Sequence, residues 1–249
     1  MHKRLSVGSL ASFARRAAPL LVISLGLASR AAIAPYTAES DIPQFADFAD
    51  TFLRHGLCFY RYSTSHRLEE WPYPWPYPYG SLLVLILAPL RLVARREAKC
   101  YWESGSCNIY TPMEWVVLTK TVFMLFDTLA AVFIYALLSK RSRGRALLAL
   151  AFYYLNPATI YVSSIYGMFD SIPLSLLLLS MIQLSKSPRK LGSLGALVAG
   201  FLITLAATTK MNTLYPALFV ALWAISTRDL LIGPLNWLDN GPGVVLPRF

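Results

Sequence analysis

Long apolar segments separated by short basic stretches are the feature that most constrains how this chain can fold. Six such segments lie at 17–34, 113–138, 146–166, 171–185, 191–209 and 213–227. A helix needs about 20 apolar residues to cross a bilayer, and only 14% of the 249 residues are charged. The sequence therefore predicts an all-α, polytopic integral membrane protein with about six transmembrane helices. We expect it in the cell membrane, or in the endoplasmic reticulum membrane if the source is a eukaryote.

The net charge of +10 is placed in a way that argues against nucleic acid as a partner. Lys and Arg cluster in short runs between apolar segments, such as "SKRSRGR" at 139–145 and "SKSPRK" at 185–190. Short cytoplasmic loops of membrane proteins carry this excess of positive charge. The basic residues therefore indicate contact with membrane lipids and a fixed topology.

The topology depends on the apolar stretch "GSLLVLILAPLRLV" at 80–93, which is short and contains Pro89. The basic N-terminus lies inside by the positive-inside rule, and a full crossing by 80–93 would place both basic loops outside. We therefore predict that 80–93 does not cross. The predicted organisation is a cytoplasmic N-terminus at 1–16, a first transmembrane helix at 17–34, an external loop with juxtamembrane helices at 35–112, transmembrane helices two to six at 113–227, and a C-terminal tail at 228–249.

The first apolar segment could also be a signal peptide, because it follows a basic start and ends in "AIA". Pro35 directly after that triplet disfavours cleavage. We therefore expect the segment to remain as an uncleaved helix.

The external loop concentrates the acidic residues, with nine of thirteen between Glu39 and Glu114. The stretch "IPQFADFADTFLRHG" has apolar residues at helical spacing, which predicts an amphipathic helix on the outer leaflet. Asp47 and Asp50 fall on its solvated flank. Asp41 precedes the helix, where two interpretations remain open: a helix cap or a carboxylate facing a cavity.

The run "WPYPWPYPYG" at 71–80 is a dense alternation of proline and aromatic residues. Each proline disfavours helix at the residue before it, which predicts an extended connector. Trp75, Tyr77 and Tyr79 suit anchoring at the membrane interface, and they equally suit stacking against sugar rings.

Among the charged residues in or at the ends of apolar segments, four stand out as candidates for function. Lys120 and Asp127 share a helix face but lie about 10 Å apart along the axis, so we expect them to meet other helices. Asp170 is either a helix cap or a site residue, and Lys210 is either a snorkelling anchor or a ligand for a lipid phosphate. On the predicted topology, Asp41, Asp170, Lys120 and Lys210 assemble at the outer face.

Four stretches in this order resemble the GT-C integral membrane glycosyltransferases, especially the prokaryotic relatives of the GPI-anchor mannosyltransferases. They are "SDIPQFADFADTFLRHGLCFYRY", "WPYPYGSLLVLILAPL", "FYYLNPATIYVSSIYGMFDSIPLSLLLL" and "GFLITLAATTKMNTLYPAL". The resemblance covers roughly residues 20–225. It implies a GT-C-like fold, with a long first external loop, and a polyprenyl-phosphate sugar as donor, often dolichyl-phosphate-mannose.

The resemblance also implies roles for particular residues. The acidic residue that opens the external loop, here Asp41, is expected to be catalytic, and the pattern "NPxxIxxSxxxGxxD" ends at Asp170. Lys210, with Lys120 or Arg91, is expected to stabilise the donor phosphate, while the acceptor is a lipid-linked or protein hydroxyl. Two carboxylates leave open whether a divalent cation takes part.

One departure from the family keeps other interpretations open. Such enzymes normally continue with several further membrane helices, whereas this sequence ends at "NWLDNGPGVVLPRF". A fragment, a split gene and a truncated, inactive paralogue that binds a partner subunit all fit that ending. A small-solute transporter is a further alternative, although no internal repeat typical of transporters is visible.

Overall fold

The computed structural model describes residues 7–37, 41–63, 76–94, 99–103, 106–185 and 188–227. Within these ranges the chain forms ten α-helices: α1 (Val7–Ile33), α2 (Asp41–His55), α3 (Phe59–Tyr62), α4 (Ser81–Val93), α5 (Met113–Ser139), α6 (Arg143–Tyr154), α7 (Pro157–Ile160), α8 (Ser171–Leu184), α9 (Pro188–Thr209) and α10 (Leu214–Thr227). A π-helical turn, Tyr161–Tyr166, continues α7. The prediction of a mainly helical chain with apolar helices long enough to cross a membrane is confirmed at this coarse level.

The described part of the chain also holds one element that is not helical. Strands β1 (Lys99–Glu103) and β2 (Ser106–Tyr110) form an antiparallel hairpin, which places Cys100 opposite Ile109 and Cys107 opposite Trp102. The two cysteines are therefore diagonal neighbours in the register of the hairpin.

Two described helical segments are long and apolar enough to cross a membrane: Ala17–Tyr36 and Met113–Ser139. Arg143–Tyr154 and Pro157–Tyr166 would form a third crossing if the pair, bent by 47°, is counted as one span. The remaining apolar helices are shorter: Ser81–Val93, Ser171–Leu184, Leu194–Thr209 and Met211–Ile225. The prediction of about six crossings therefore stays a prediction.

The amphipathic helix predicted in the external loop is present as α2, but its apolar face is not left for lipid. Phe45 of α2 is buried and contacts the rings of Phe123 and Phe169 edge-on, at centroid distances of 5.8 Å and 5.7 Å. The same buried cluster includes Leu83 and Leu87 of α4. Protein therefore covers this face, because α4 supplies an apolar surface of matching length.

The pairing of α8 with α9 fixes which ends of the chain meet. Leu184 shares a buried cluster with Ala199, and Leu177 shares one with Ala206. As residue numbers increase along α8, the residue numbers of their partners decrease along α9. The two helices are therefore antiparallel. Extending this pairing brings the start of α8 to the end of α9.

Candidate functional site

The antiparallel packing of α8 and α9 brings Asp170 and Lys210 into direct contact. The Nζ of Lys210 donates to Oδ1 of Asp170 at 2.5 Å. The carboxylate side chain is 49% exposed and the lysine side chain 15% exposed. Asp170 is the N-cap residue of α8, yet its side chain makes no capping hydrogen bond. Its position is that of a helix cap, but its carboxylate serves the ion pair.

Tyr79 relates the second predicted carboxylate, Asp41, to Asp170 through the electrostatics of its phenol. Burial raises the pKa of Tyr79 to about 12, and the negative charges of Asp41 and Asp170 contribute further to the increase. Both carboxylates are therefore within electrostatic reach of one phenol. We call Asp41, Tyr79, Asp170 and Lys210 the Asp170 cluster.

Gly80 explains how the connector before α4 reaches this cluster. Its backbone N–H donates to the carbonyl of Thr209 at 3.2 Å. A Cβ atom at Gly80 would lie 1.4 Å from the carbonyl oxygen of Thr208, which is a severe overlap. Only glycine permits this approach, and the approach sets Tyr79 beside the end of α9 that carries Lys210.

The start of α2 is fixed through Ile42, the neighbour of Asp41. The indole Nε1 of Trp115 donates to the carbonyl of Ile42 at 2.7 Å. Gly167, at φ +79°, lies so close that a Cβ there would be 2.5 Å from Cδ1 of Ile42. These contacts fix the backbone at the start of α2, directly after Asp41.

Lys120 lies close to the cluster, but its ammonium is engaged in the protein interior. Its Nζ donates to the carbonyls of Thr37 at 2.5 Å, Ser164 at 2.7 Å, Ile165 at 3.0 Å and Ala34 at 3.3 Å, and to the hydroxyl of Thr37 at 2.8 Å. These oxygens belong to the segment before Asp41 and to the π-helical turn before Asp170. Lys120 therefore joins the two backbone segments that lead to the carboxylates.

The structure places Arg91 away from the cluster. It lies ten residues beyond Ser81 in α4, which is about 15 Å along the helix axis. Its Nε and Nη2 donate to the two carboxylate oxygens of Asp50 at 2.7 Å and 2.8 Å. Asp50, expected on a solvated flank, instead ties α2 to α4.

The two other aromatic candidates differ in how far the structure describes them. Tyr77 is buried, and its hydroxyl donates to the carbonyl of Gly80 at 2.9 Å, so its polar end supports the connector. Trp75 lies outside the described residues. Of the three aromatic candidates, Tyr79 is the one that the structure brings to the cluster.

A second buried polar group surrounds Asp127, as expected for a charged residue that meets another helix. Asp127 pairs with Arg30 of α1 at 2.6 Å, and Tyr153 donates to its other oxygen at 2.7 Å. Arg30 also donates to the carbonyl of Tyr154 at 2.7 Å and stacks over that ring at 4.0 Å. Arg30 was not among the site residues predicted from the sequence, although a charge near the end of an apolar segment was a signal for it.

A cavity of about 300 Å³ extends between Asp127 and Asp170. It is lined by residues of α5, α6, α7, the π-helical turn and α8: Asp127, Tyr153, Ala158, Thr159, Val162, Ser163, Met168, Asp170, Ser171 and Leu174.

The described residues do not provide a recognisable metal site. No group of three or more His, Cys, Asp or Glu side chains among them is placed to hold a metal ion. Asp170 already has an ammonium group on one carboxylate oxygen. A divalent cation therefore does not fit the donor set of the described residues.

Comparisons with protein-family models, curated proteins and solved structures find no match to this chain. The likeness to the GT-C enzymes therefore rests on the four sequence stretches alone. The structural evidence that bears on function is the Asp170 cluster itself.

Proposed function

We propose that this protein is a membrane glycosyltransferase that moves a sugar from a polyprenyl-phosphate donor to an acceptor hydroxyl. The observation that carries the proposal is the Asp170 cluster, which combines two carboxylates, a phenol and a partly buried ammonium at the junction of α2, α8 and α9. A general base and a cation for a phosphate leaving group are the two groups that such a transfer needs. Mannose as the sugar follows from the family resemblance.

The proposed reaction is a direct displacement. The carboxylate of Asp41 accepts the proton of the acceptor hydroxyl as its oxygen forms a bond to the anomeric carbon. The bond from that carbon to the phosphate oxygen breaks, and the electron pair leaves with the polyprenyl phosphate. A direct displacement of this kind inverts the configuration of the anomeric carbon.

Lys210 and Asp170 have complementary parts in this scheme. Lys210 stabilises the negative charge that develops on the departing phosphate. Asp170 holds the ammonium through the ion pair seen here and orients the acceptor with its remaining carboxylate oxygen. The phenol of Tyr79, whose pKa is raised to about 12, stays protonated at neutral pH and can donate a hydrogen bond.

The test is sugar transfer in membranes that contain this chain, with radiolabelled polyprenyl-phosphate sugars including dolichyl-phosphate-mannose. We expect Asp41→Asn to lower transfer by about 100-fold to 10,000-fold, the range typical of a lost general base. Asp47→Asn, a matched change on the polar flank of the same helix, should leave transfer unchanged. Full transfer by Asp41→Asn would contradict the assignment. No transfer from any of these donors, in membranes where a known enzyme is active, would contradict the proposed function.

A further inference from the structure

Phe169 lies in the short turn between the π-helical segment and α8, where hydrogen bonds fix the backbone on both sides of it. Gly167 adopts φ +79°, a left-handed conformation that residues with a Cβ rarely adopt. The N–H groups of Gly167 and Met168 donate to the carbonyl of Val162 at 3.0 Å and 2.9 Å. The carbonyl of Phe169 accepts from the N–H of Ile172, in the first turn of α8, at 2.9 Å. The backbone that carries this side chain is therefore well defined.

The ring of Phe169 is fully buried among other aromatic rings. It contacts Phe45 of α2 at a centroid distance of 5.7 Å and Phe123 of α5 at 6.3 Å. Tyr79 approaches it at 4.9 Å, with the two ring planes at 86°. Aromatic pairs prefer definite relative orientations, so three such neighbours fix the direction in which the faces of this ring point.

The ammonium of Lys210 lies over the ring of Phe169. Its Nζ is 5.3 Å from the ring centroid. An ammonium within about 6 Å of a ring centroid is attracted electrostatically, because the face of an aromatic ring is negative. The fixed ring therefore offers this ammonium a defined position.

The ion pair with Asp170 is a weaker means of placing the same ammonium. The carboxylate side chain is 49% exposed, and exposed ion pairs contribute little because water screens them and long side chains lose rotamer freedom. Lysine has a flexible four-carbon stem, so one exposed contact leaves it several arrangements. Adjacent residues supply two contacts here, a carboxylate oxygen at 2.5 Å and a buried ring at 5.3 Å.

We propose that Phe169 is a positioning residue whose buried ring holds the ammonium of Lys210 at the Asp170 cluster. The inference rests on the proposed function, in which Lys210 stabilises the charge of the departing phosphate. A cation that is already in place needs no rearrangement as that charge develops. Weakening the attraction of the ring should therefore lower kcat for sugar transfer more than it raises KM for the donor.

Nuclear magnetic resonance of the full chain in detergent tests the contact itself. Reductive methylation with isotope-labelled formaldehyde marks the lysines and keeps their positive charge. Methyl groups above the face of an aromatic ring resonate upfield because of the ring current. We expect an upfield methyl signal for Lys210, assigned by its absence in Lys210→Arg, and we expect Phe169→Leu to return it to the ordinary position. An ordinary position in the wild-type protein would overturn the proposal.

Fluorinated phenylalanines at position 169 separate the charge of the ring from its size. Each fluorine withdraws electron density from the ring face and weakens its attraction for a cation, while the shape of the ring changes little. We expect kcat to fall stepwise from phenylalanine through its mono-, di- and trifluorinated forms, by about threefold to tenfold in total. KM for the donor should change by less.

Phe123 provides the matched control for this series. It is as fully buried as Phe169 and packs against Phe45 and Phe169. In the described part of the chain, no cation lies over its ring. The same fluorinated series at position 123 should leave kcat unchanged. Equal falls at the two positions would overturn the proposal, because they would reflect packing alone.

A double variant tests whether Phe169 acts through Lys210. Phe169→Leu should lower kcat per mole of folded protein in the wild-type background. In the Lys210→Met background it should add no further loss, since the ammonium that it positions is absent. The same loss in both backgrounds would overturn the proposal.

Combining the resonance and transfer measurements separates this inference from the proposed function. Sugar transfer by a chain whose Lys210 methyl signal lies at the ordinary position would overturn the inference and leave the glycosyltransferase function standing. An upfield signal that Phe169→Leu removes, in a chain that transfers no sugar, would support the placement of Lys210 by Phe169 and contradict the enzymatic function.

Discussion

Lys120 and Lys210 carry the same side chain in opposite surroundings, and the difference separates structure from chemistry in this protein. The ammonium of Lys120 lies in the interior and meets five oxygen atoms. The ammonium of Lys210 has one carboxylate partner in the described part of the chain, and that carboxylate is half exposed. A saturated ammonium holds the fold together, whereas an ammonium with N–H donors to spare beside an exposed carboxylate can bind an anion.

The same contrast divides the acidic residues. Asp127 has both carboxylate oxygens engaged by Arg30 and Tyr153, while Asp170 gives one oxygen to Lys210. Buried, fully paired charges are costly to disturb. Exposed charges with spare hydrogen-bonding capacity are the ones that a substrate can reach.

The largest predicted effect on stability comes from Arg30→Met. This change leaves Asp127 buried without its cation, which costs about 3–5 kcal/mol. We expect a large loss of folded protein in detergent, measured by thermal unfolding. Arg30→Met combined with Asp127→Leu should recover most of that loss, because no unpaired charge remains. An Arg30→Met variant as stable as wild type would contradict the structural role assigned to the Arg30–Asp127 pair.

Gly80→Ala should have the next largest effect. The added Cβ overlaps the backbone of Thr208, and forcing such an overlap costs about 1–3 kcal/mol. The connector would move away from α9, which would separate Tyr79 from Lys210 and lower transfer. Gly144→Ala is the control, since a Cβ there meets nothing within 4 Å. Wild-type stability and transfer in Gly80→Ala would show that this contact does not position the cluster.

The smallest predicted effect concerns the titration of Tyr79. Burial raises its folded-state pKa from the ordinary value of 10.0 to about 12, so the folded state favours the protonated phenol. The associated stability is fully present below pH 10 and is lost as the pH rises through 12. The ultraviolet difference between wild type and Tyr79→Phe should show this late ionisation.

Removing a carboxylate from the cluster gives a second test of the Tyr79 titration. Asp41→Asn removes one of the charges that raise the pKa of Tyr79, so the ionisation should shift to lower pH. Asp47→Asn should leave it in place. A phenol that ionises at its ordinary pKa in the wild-type protein would mean that it is neither buried nor close to the two carboxylates.

Local patterns in the sequence predicted the features that depend on neighbours along the chain. Helical spacing predicted α2, which ends at His55, and the positive-inside rule predicted Asp170 and Lys210 at one face. The partners of buried charges were harder to predict. Arg30 and Asp127 are 97 residues apart, and spacing within one helix identifies a face without identifying what packs on it.

The role of Gly80 and the pairing of Asp50 with Arg91 were missed for a related reason. A close backbone approach leaves no periodic signal in the sequence, so Gly80 looked like the end of a connector. Asp50 lies on the polar flank of an amphipathic helix, a pattern that predicts solvation until α4 packs beside it and supplies Arg91.

The most direct test of this division of roles is the sugar-transfer rate of Lys210→Met, measured per mole of folded protein. Loss of a group that stabilises the leaving phosphate should lower the rate by about 100-fold to 1,000-fold, with thermal unfolding close to wild type. Lys120→Met is its counterpart and should lose folded protein, because it leaves buried carbonyls without a donor. Wild-type transfer by folded Lys210→Met would contradict the assignment of the Asp170 cluster as the catalytic site.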